Sequence, residues 1–255
     1  MWISASAVSH PGNCREKNED NFCLNGRKLS GSSTLWPFRF CGRTSAPILM
    51  GVFDGMGGMK AGEVASGIAS DAACAAVPGL TGTTDITAAL LDICSSANEQ
   101  TCSRMLRIKQ RIGTTASMLC FRGGRYYLCN IGDSPIYLFR DDRLSPIFCE
   151  HTERENYLRI HGADAAPRKK YRLTQNIGIF PEEMGIEPFV STGDLKYGDR
   201  FLIASDGLTD MVEEAEIAGV LRERTQPAKT VSRLLELALA YGGKDNVTII
   251  CVDIR

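Results

Sequence analysis

The sequence predicts an α+β protein in which antiparallel β-sheets stack on each other and carry helices on their outer faces. Three observations predict it. Short apolar runs of strand length recur without strict alternation, as buried strands do. Helical patterns arrive as consecutive pairs in two separate places. The 44% apolar content over 255 residues is enough for a large core, and no repeat, low-complexity block or Ser/Gly-rich linker interrupts the chain.

The elements follow in order. Ile48 to Phe53 reads as a buried strand ending at Asp54, where Gly55, Gly57 and Gly58 permit a tight turn. Lys60 to about Val77 is rich in Ala and Ser, with apolar residues at helical spacing, and Pro78-Gly79 stops it. A second helix starts at Thr84 or Asp85 as N-cap and is marked by Ile86, Leu90, Ile93, Ala97 and Met105. Strands at Thr114 to Phe121, Arg125 to Ile131 and Ile136 to Arg140 form a meander, broken by Gly123-Gly124 and Gly132-Asp133-Ser134-Pro135. From Glu150 to Arg172 a polar, basic stretch with Arg154, Arg159, Arg168, Lys169, Lys170 and Arg172 reads as an irregular surface excursion or lid. Strands at Gly185 to Val190 and Arg200 to Ala204, helices at Glu213 to Arg224 and Ala228 to Tyr241, and a strand at Val247 to Ile254 complete the order. One domain over 1–255 is expected, with residues 150–175 as a flap-like excursion.

Composition excludes several classes. A net charge of −1 gives no general attraction to nucleic acid or anionic membrane. No apolar run approaches the ~20 residues of a bilayer span, and Met1-Trp2-Ile3-Ser4 lacks the pattern of a signal segment. The ten cysteines are scattered, several inside apolar runs, with no Cys-x-x-Cys pair, so they read as reduced core residues in a cytoplasmic setting.

Four acidic clusters carry the chemistry: Asn18-Glu19-Asp20, Asp54-Gly55, Asp206-Gly207 and Asp245-Asn246, each beside an apolar run. Strand ends from distant parts of a chain can converge on one rim of a sheet. Oxygen ligands without Cys or His suit Mg²⁺ or Mn²⁺. Asp20, Asp54, Asp206 and Asp245 are candidate ligands, the Gly55 carbonyl is a further one, and Arg15 is a candidate fork for phosphate oxygens. A single Asp-Gly is ordinarily just a turn; it is the conjunction that points to a metal site.

The order of motifs, Arg15-Glu16-Lys17-Asn18-Glu19-Asp20, Gly51-Val52-Phe53-Asp54-Gly55-Met56-Gly57-Gly58, Gly113-Thr114-Thr115-Ala116, Asn130-Ile131-Gly132-Asp133-Ser134, Ala204-Ser205-Asp206-Gly207-Leu208-Thr209-Asp210 and Lys244-Asp245-Asn246-Val247-Thr248, resembles the PPM or PP2C metal-dependent serine/threonine protein phosphatases, most closely their compact bacterial members. The resemblance runs from about Ser9 to Arg255. It implies a four-layer αββα sandwich, two central antiparallel sheets flanked by helix pairs. It implies that Asp54 bridges two Mn²⁺ or Mg²⁺ ions, that Asp206 and Asp245 complete one, and that the Gly55 carbonyl serves the other. Glu19 and Asp20 match the supporting acidic pair, Arg15 the phosphate-binding arginine, and Asp133, with Asp206 and Asp210, a third, weaker metal site.

The implied reaction is in-line hydrolysis of protein phosphoserine or phosphothreonine by a hydroxide bridging the ions, reversing a Ser/Thr kinase, with no cysteine nucleophile. The expected partners are phosphorylated proteins and a cognate kinase system, and the expected state is a monomer. Two residues depart from the family pattern. Met56 stands where animal members often have histidine and cannot donate a proton, and Pro135 replaces an arginine many members carry after Gly-Asp-Ser. His10, His151 and His161 read as surface or core histidines, not as the missing acid. The excursion occupies the position of the family's flap, where its basic residues would receive acidic or phosphorylated sequences or simply face water. The alternative is a pseudophosphatase that binds phosphoproteins, whose usual sign, a lost ligand, is absent. A nucleotide-binding reading of Gly55 to Gly58 fails on spacing.

Overall fold

Period-two alternation along the central strands sends successive side chains into different apolar layers, and this division builds the molecule. The computed structural model describes residues 1–34, 36–57, 61–162 and 171–255, with the backbone alone at 155 and 156. Gly58, Lys60, Arg168, Lys169 and Lys170 lie outside the described residues. In chain order the elements are β1 (Trp2–His10), β2 (Asp20–Leu24), β3 (Arg27–Lys28), β4 (Phe38–Arg43), β5 (Ile48–Gly57), α1 (Gly62–Ala76) and α2 (Ile86–Ile108). Then come β6 (Ile112–Thr114), β7 (Ala116–Arg122), β8 (Arg125–Ile131), β9 (Ile136–Arg140), β10 (Arg143–Pro146) and α3 (Arg154–His161). The chain closes with β11 (Phe189–Asp194), β12 (Arg200–Ala204), α4 (Asp206–Thr209), α5 (Glu214–Arg222), α6 (Pro227–Ala240) and β13 (Val247–Ile254).

Among the described residues, one sheet runs β10-β9-β12-β13-β1-β4, and the other runs β11-β8-β7-β5-β2-β3 with β6 added to β5. All of these pairings are antiparallel. Ile48, Met50 and Val52 of β5 join Phe201, Ile203, Ile250 and Val252 of the opposite sheet in a core between the sheets. There Phe121 and Tyr126 both meet Phe201 edge-on at 5.2 Å. The intervening Leu49 and Phe53 pack instead on Ala69, Ala73, Leu90 and Ile93 of α1 and α2. On the far side Leu202, Ile249 and Cys251 pack on Ile217, Leu221, Val231 and Leu234 of α5 and α6. The result is two antiparallel sheets between helix pairs, the expected sandwich. Strands covered on both faces have no polar side, which is why their sequences do not alternate.

Arg200 is buried at 1% exposure beneath α5 and α6. Its guanidinium donates to Asp253 Oδ1 at 2.7 Å, to the Leu221 carbonyl at 2.9 Å, and to the Thr225 carbonyl at 2.6 Å. The α5–α6 connection is thereby tied to the sheet. The ten cysteines are free thiols, and Cys23, Cys94, Cys102, Cys120, Cys129 and Cys251 are buried as expected of core residues.

The structure corrects the sequence expectations at four places. β5 continues through Asp54 to Gly57 and does not turn at Gly55, because Gly55 and Met56 pair with Thr114 and Gly113. β1 and β4, neither of them anticipated, pair with each other inside the first sheet. The strand expected at Gly185 to Val190 forms later, at Phe189–Asp194, in register with β8. The excursion is not wholly irregular: it contains α3, and a bridge between Thr152 and Leu173 closes its base.

Candidate active site

At one end of the sandwich the core between the sheets turns from apolar to polar. Continuing the alternation of Phe22 and Leu24 brings β2 to Asp20, and continuing that of Val52 and Met50 brings β5 to Asp54; these two aspartates are direct cross-strand partners. The same parity leads from Ala7 to Ser9, from Leu119 to Ser117, from Ile203 to Ser205 and from Ile250 to Thr248, all buried. The polar residues bond to one another. Ser205 Oγ donates to Asp20 Oδ2 at 2.8 Å, the Thr248 amide donates to Ser205 Oγ at 3.0 Å, and Ser9 and Thr248 share a hydroxyl contact of 2.7 Å.

Asp54 is held by its backbone. Its N–H donates to Thr115 Oγ1 at 3.0 Å, while its carbonyl accepts from the Thr115 amide and the Thr114 hydroxyl, both at 2.9 Å. The Gly113-Thr114-Thr115 motif therefore fixes the carboxylate-bearing residue. Gly55 is required by close approach: a Cβ there would stand 2.3 Å from the carbonyl oxygens of both Glu19 and Gly62. The Gly55 N–H donates to the Glu19 carbonyl at 3.1 Å, and Glu19 Oε1 accepts from the Gly62 amide at the start of α1 at 3.1 Å.

Asp206 begins α4 directly beyond β12, and Gly207 is needed because a Cβ would lie 1.9 Å from the Asn246 carbonyl. Asn246 is a clamp. Its side chain donates to the carbonyls of Pro11 and Lys17 at 2.9 and 2.8 Å and accepts the Glu19 amide at 2.8 Å. It pins the Arg15 to Glu19 segment against the Asp245 loop. Arg15 Nη2 meets Asp245 Oδ2 at 2.7 Å, so the expected phosphate ligand and an expected metal ligand are paired with each other. Asp133 stands after β8 beyond Gly132, whose N–H donates to His151 Nδ1 at 3.1 Å. A cleft of about 520 Å³ gathers Asp54, Met56, Thr115, Asp133, Arg172, Asn176 and Asp206.

The site crowds negative charge. Burial first, then the charges of Asp206 and Asp245, against the opposing Ser205 and Thr248 hydroxyls, push the Asp20 carboxyl up to about 7. Asp54 is raised well above the ordinary carboxylate range, first by burial and then by Asp20, Asp206, Asp133 and Asp245. Asp20 Oδ1 is buried without a hydrogen-bond partner. A cation resolves all three conditions, so this oxygen-donor set fits Mg²⁺ or Mn²⁺. Among the described residues no three His, Cys, Asp or Glu side chains already stand as a closed metal-ligating group. Asp245 is turned to Arg15 and Asp20 to Ser205.

Residues 37–240 match the family model Protein phosphatase 2C. The chain belongs to that family. The matched span contains Asp54, Gly55, Asp133 and Asp206, while Arg15, Glu19, Asp20 and Asp245 fall outside it and join the site through the contacts above. The chain is 33% identical over 211 residues to serine/threonine protein phosphatase PstP of Mycobacterium tuberculosis, covering 81% of this chain and 40% of PstP. It thus spans about two-fifths of that relative. It is 29% identical over 253 residues to serine/threonine phosphatase stp of Listeria innocua, covering 95% and 92% of the two chains. The crystal structure of the M. tuberculosis phosphatase PstP/Ppp superposes with a TM-score of 0.79 at 28% identity over the whole of both chains. The PstP catalytic domain in complex with two manganese ions superposes at 0.74 with 29% identity, again over both whole chains.

Sequence reasoning overlooked the supporting hydroxyls and amides: Thr114, Thr115, Ser205, Thr248 and the Asn246 clamp. All stood inside or beside the recognised motifs. The signal that could have found them is a polar residue at the inward parity of an otherwise apolar strand.

Proposed function

We propose that this chain hydrolyses phosphoserine and phosphothreonine in proteins with two divalent cations, Mn²⁺ or Mg²⁺, and so opposes a Ser/Thr kinase. The observation that carries the reading is the Asp20–Asp54 cross-strand pair, Asp20 buried and Asp54 half-buried at the rim, crowded by three further aspartates. Asp54, Asp206, Asp245 and the Gly55 carbonyl would hold the two ions, Glu19 and Asp20 would support them, and Asp133 with Asp206 would take a third, weaker one. When bound, such ions activate water for attack on phosphorus and neutralise phosphoryl charge.

The chain's own residues supply position and charge. Thr114 and Thr115 lock the Asp54 backbone, Asn246 fixes the Arg15 to Glu19 segment, and Ser205 orients Asp20. Arg15 engages Asp245 through one nitrogen, and the guanidinium's remaining donors suit phosphate oxygens. Among the described residues the cleft lining contains no histidine, and Met56 carries no transferable proton, so protonation of the leaving group would fall to a water held by the ions or to another side chain.

Hydrolysis of p-nitrophenyl phosphate by wild type and Asp206→Asn, with and without Mn²⁺, tests the reading. Turnover that requires the ion and disappears in the variant supports it; Mn²⁺-independent turnover, or none in the wild type, refutes it.

A further inference from the structure

The chain returning from the excursion brings into the catalytic cleft an asparagine that none of the roles above uses. Asn176 lines that cleft together with Asp54 and Met56. The segment carrying it is tied down on both sides. Ile177 is fully buried and exchanges backbone hydrogen bonds with Thr114 at 3.0 and 2.8 Å, and the Thr114 hydroxyl in turn holds the Asp54 carbonyl at 2.9 Å. Gly178 and Ile179 donate their amides to Asn98 Oδ1 of α2 at 2.7 and 3.0 Å.

The carboxamide of Asn176 is oriented as well as placed. Its Nδ2 donates to the Ile177 carbonyl at 2.7 Å, which fixes the nitrogen end, because the oxygen end would set two acceptors against each other. Gly113 makes room for it: a Cβ there would stand 2.5 Å from Asn176 Nδ2. Gly113 is the cross-strand partner of Met56, so Asn176 lies at the level of Met56, two residues beyond Asp54 on the same face of β5 and roughly 7 Å along it. The second Nδ2 hydrogen and the Oδ1 of Asn176 have no partner among the described residues. A carboxamide with one free donor and one free acceptor matches the C=O and N–H of a single residue in an extended chain. Its neutrality and its distance from Asp54 place it beyond a phosphoryl group held at the carboxylates, where the main chain of a substrate passes.

We propose that Asn176 is a substrate-binding residue that pairs with the main chain of one residue flanking the phosphorylated serine or threonine. The proposal rests on the phosphatase reading and adds a contact that favours an extended phosphopeptide over a small phosphate ester, whatever the flanking side chains.

A phosphothreonine peptide N-methylated at one amide at a time, over the three amides on either side of the phosphorylated residue, tests it with Mn²⁺ present. In the wild type one position should lower kcat/KM roughly tenfold, as loss of a main-chain hydrogen bond does. In Asn176→Ala the unmodified peptide should lose about the same factor relative to p-nitrophenyl phosphate, and methylation at the sensitive position should cost little more, the signature of a coupled pair. Asn176→Ser keeps a donor for the Ile177 carbonyl and should behave as Asn176→Ala does, and it serves should the alanine variant fail to fold. A scan without a sensitive position, or a methylation penalty undiminished in the variants, overturns the contact, while turnover of the unmodified peptide leaves the phosphatase reading standing. An equal fall for peptide and p-nitrophenyl phosphate would mark Asn176 as a support for Ile177 alone and also overturn it. Failure to hydrolyse any phosphoester with Mn²⁺ overturns both.

Discussion

Asp54 is kept in place by interactions with its backbone, while its carboxylate is opposed by its neighbours. Asp54→Asn should therefore separate stability from function. It should stabilise the chelated protein by about 1 kcal/mol or more, because a crowded charge is removed. It should also lower Mn²⁺-dependent turnover by more than the roughly 10- to 100-fold typical of outer-shell partners. Thermal melts in EDTA and steady-state kinetics check the two halves. Gly55→Ala and Gly207→Ala meet backbone at 2.3 and 1.9 Å and should each lower stability by about 3 kcal/mol or more, seen as a large fall in the urea midpoint. At this scale the sequence was most legible. Acidic residues beside glycine announce themselves, and motif order gave them roles. Ser205, Thr115 and Asn246 did not, because a hydroxyl or amide looks ordinary until the fold sets it against the Asp20 carboxylate, the Asp54 amide or the Glu19 amide.

Element boundaries were legible where one physical signal dominated. α2 shows its Asp85 cap, whose side chain accepts the Ala88 amide at 3.0 Å, and its apolar stripe turns inward as spacing predicts. β1 escaped notice because Ser4 and Ser6 occupy one of its faces and Ser9 ends the other; Ala5 and Ala7 become core only through pairing with β13 and β4. β5 seemed to end at Asp54 because a carboxylate in mid-strand contradicts propensity, a conflict expected at a functional site. Arg200 is a further case: a charged residue opening an apolar strand reads as a boundary, yet it is buried under α5 and α6. Arg200→Met should cost about 3–5 kcal/mol, because Asp253 and the Leu221 and Thr225 carbonyls lose their donor. Chemical denaturation should show that loss, with Cys251 beneath α6 becoming reactive to thiol reagents at lower denaturant.

For the whole molecule, the two sheets form an apolar stack with a polar rim, and that rim makes stability depend on pH and on cations. The Asp20 carboxyl rises from 3.8 to about 7 on folding, and Asp54 shifts in the same direction. The folded state then binds more protons than the unfolded state between about pH 4 and 7. Metal-free stability should therefore be fully present below the unfolded pKa and fall as pH rises through that window. Mn²⁺ should flatten the dependence by replacing protons as the neutralising charge. Melting temperatures of chelated and Mn²⁺-loaded protein between pH 5 and 8 check this, and parallel slopes would contradict it. The layered architecture was legible as a whole because both its sheets and its helices are apolar where they meet. The contact of Tyr137 with Glu214 was not, since the two come from β9 and α5 and no local pattern joins them. The central claim is that the carboxylate rim is a cation site serving phosphoester hydrolysis. It is tested most directly by following phosphate release from a phosphothreonine peptide as Mn²⁺ is added back to EDTA-stripped protein. The account predicts no release without the ion and a saturable rise with it that Asp54→Asn does not show. Equal release in EDTA and in Mn²⁺ would contradict it.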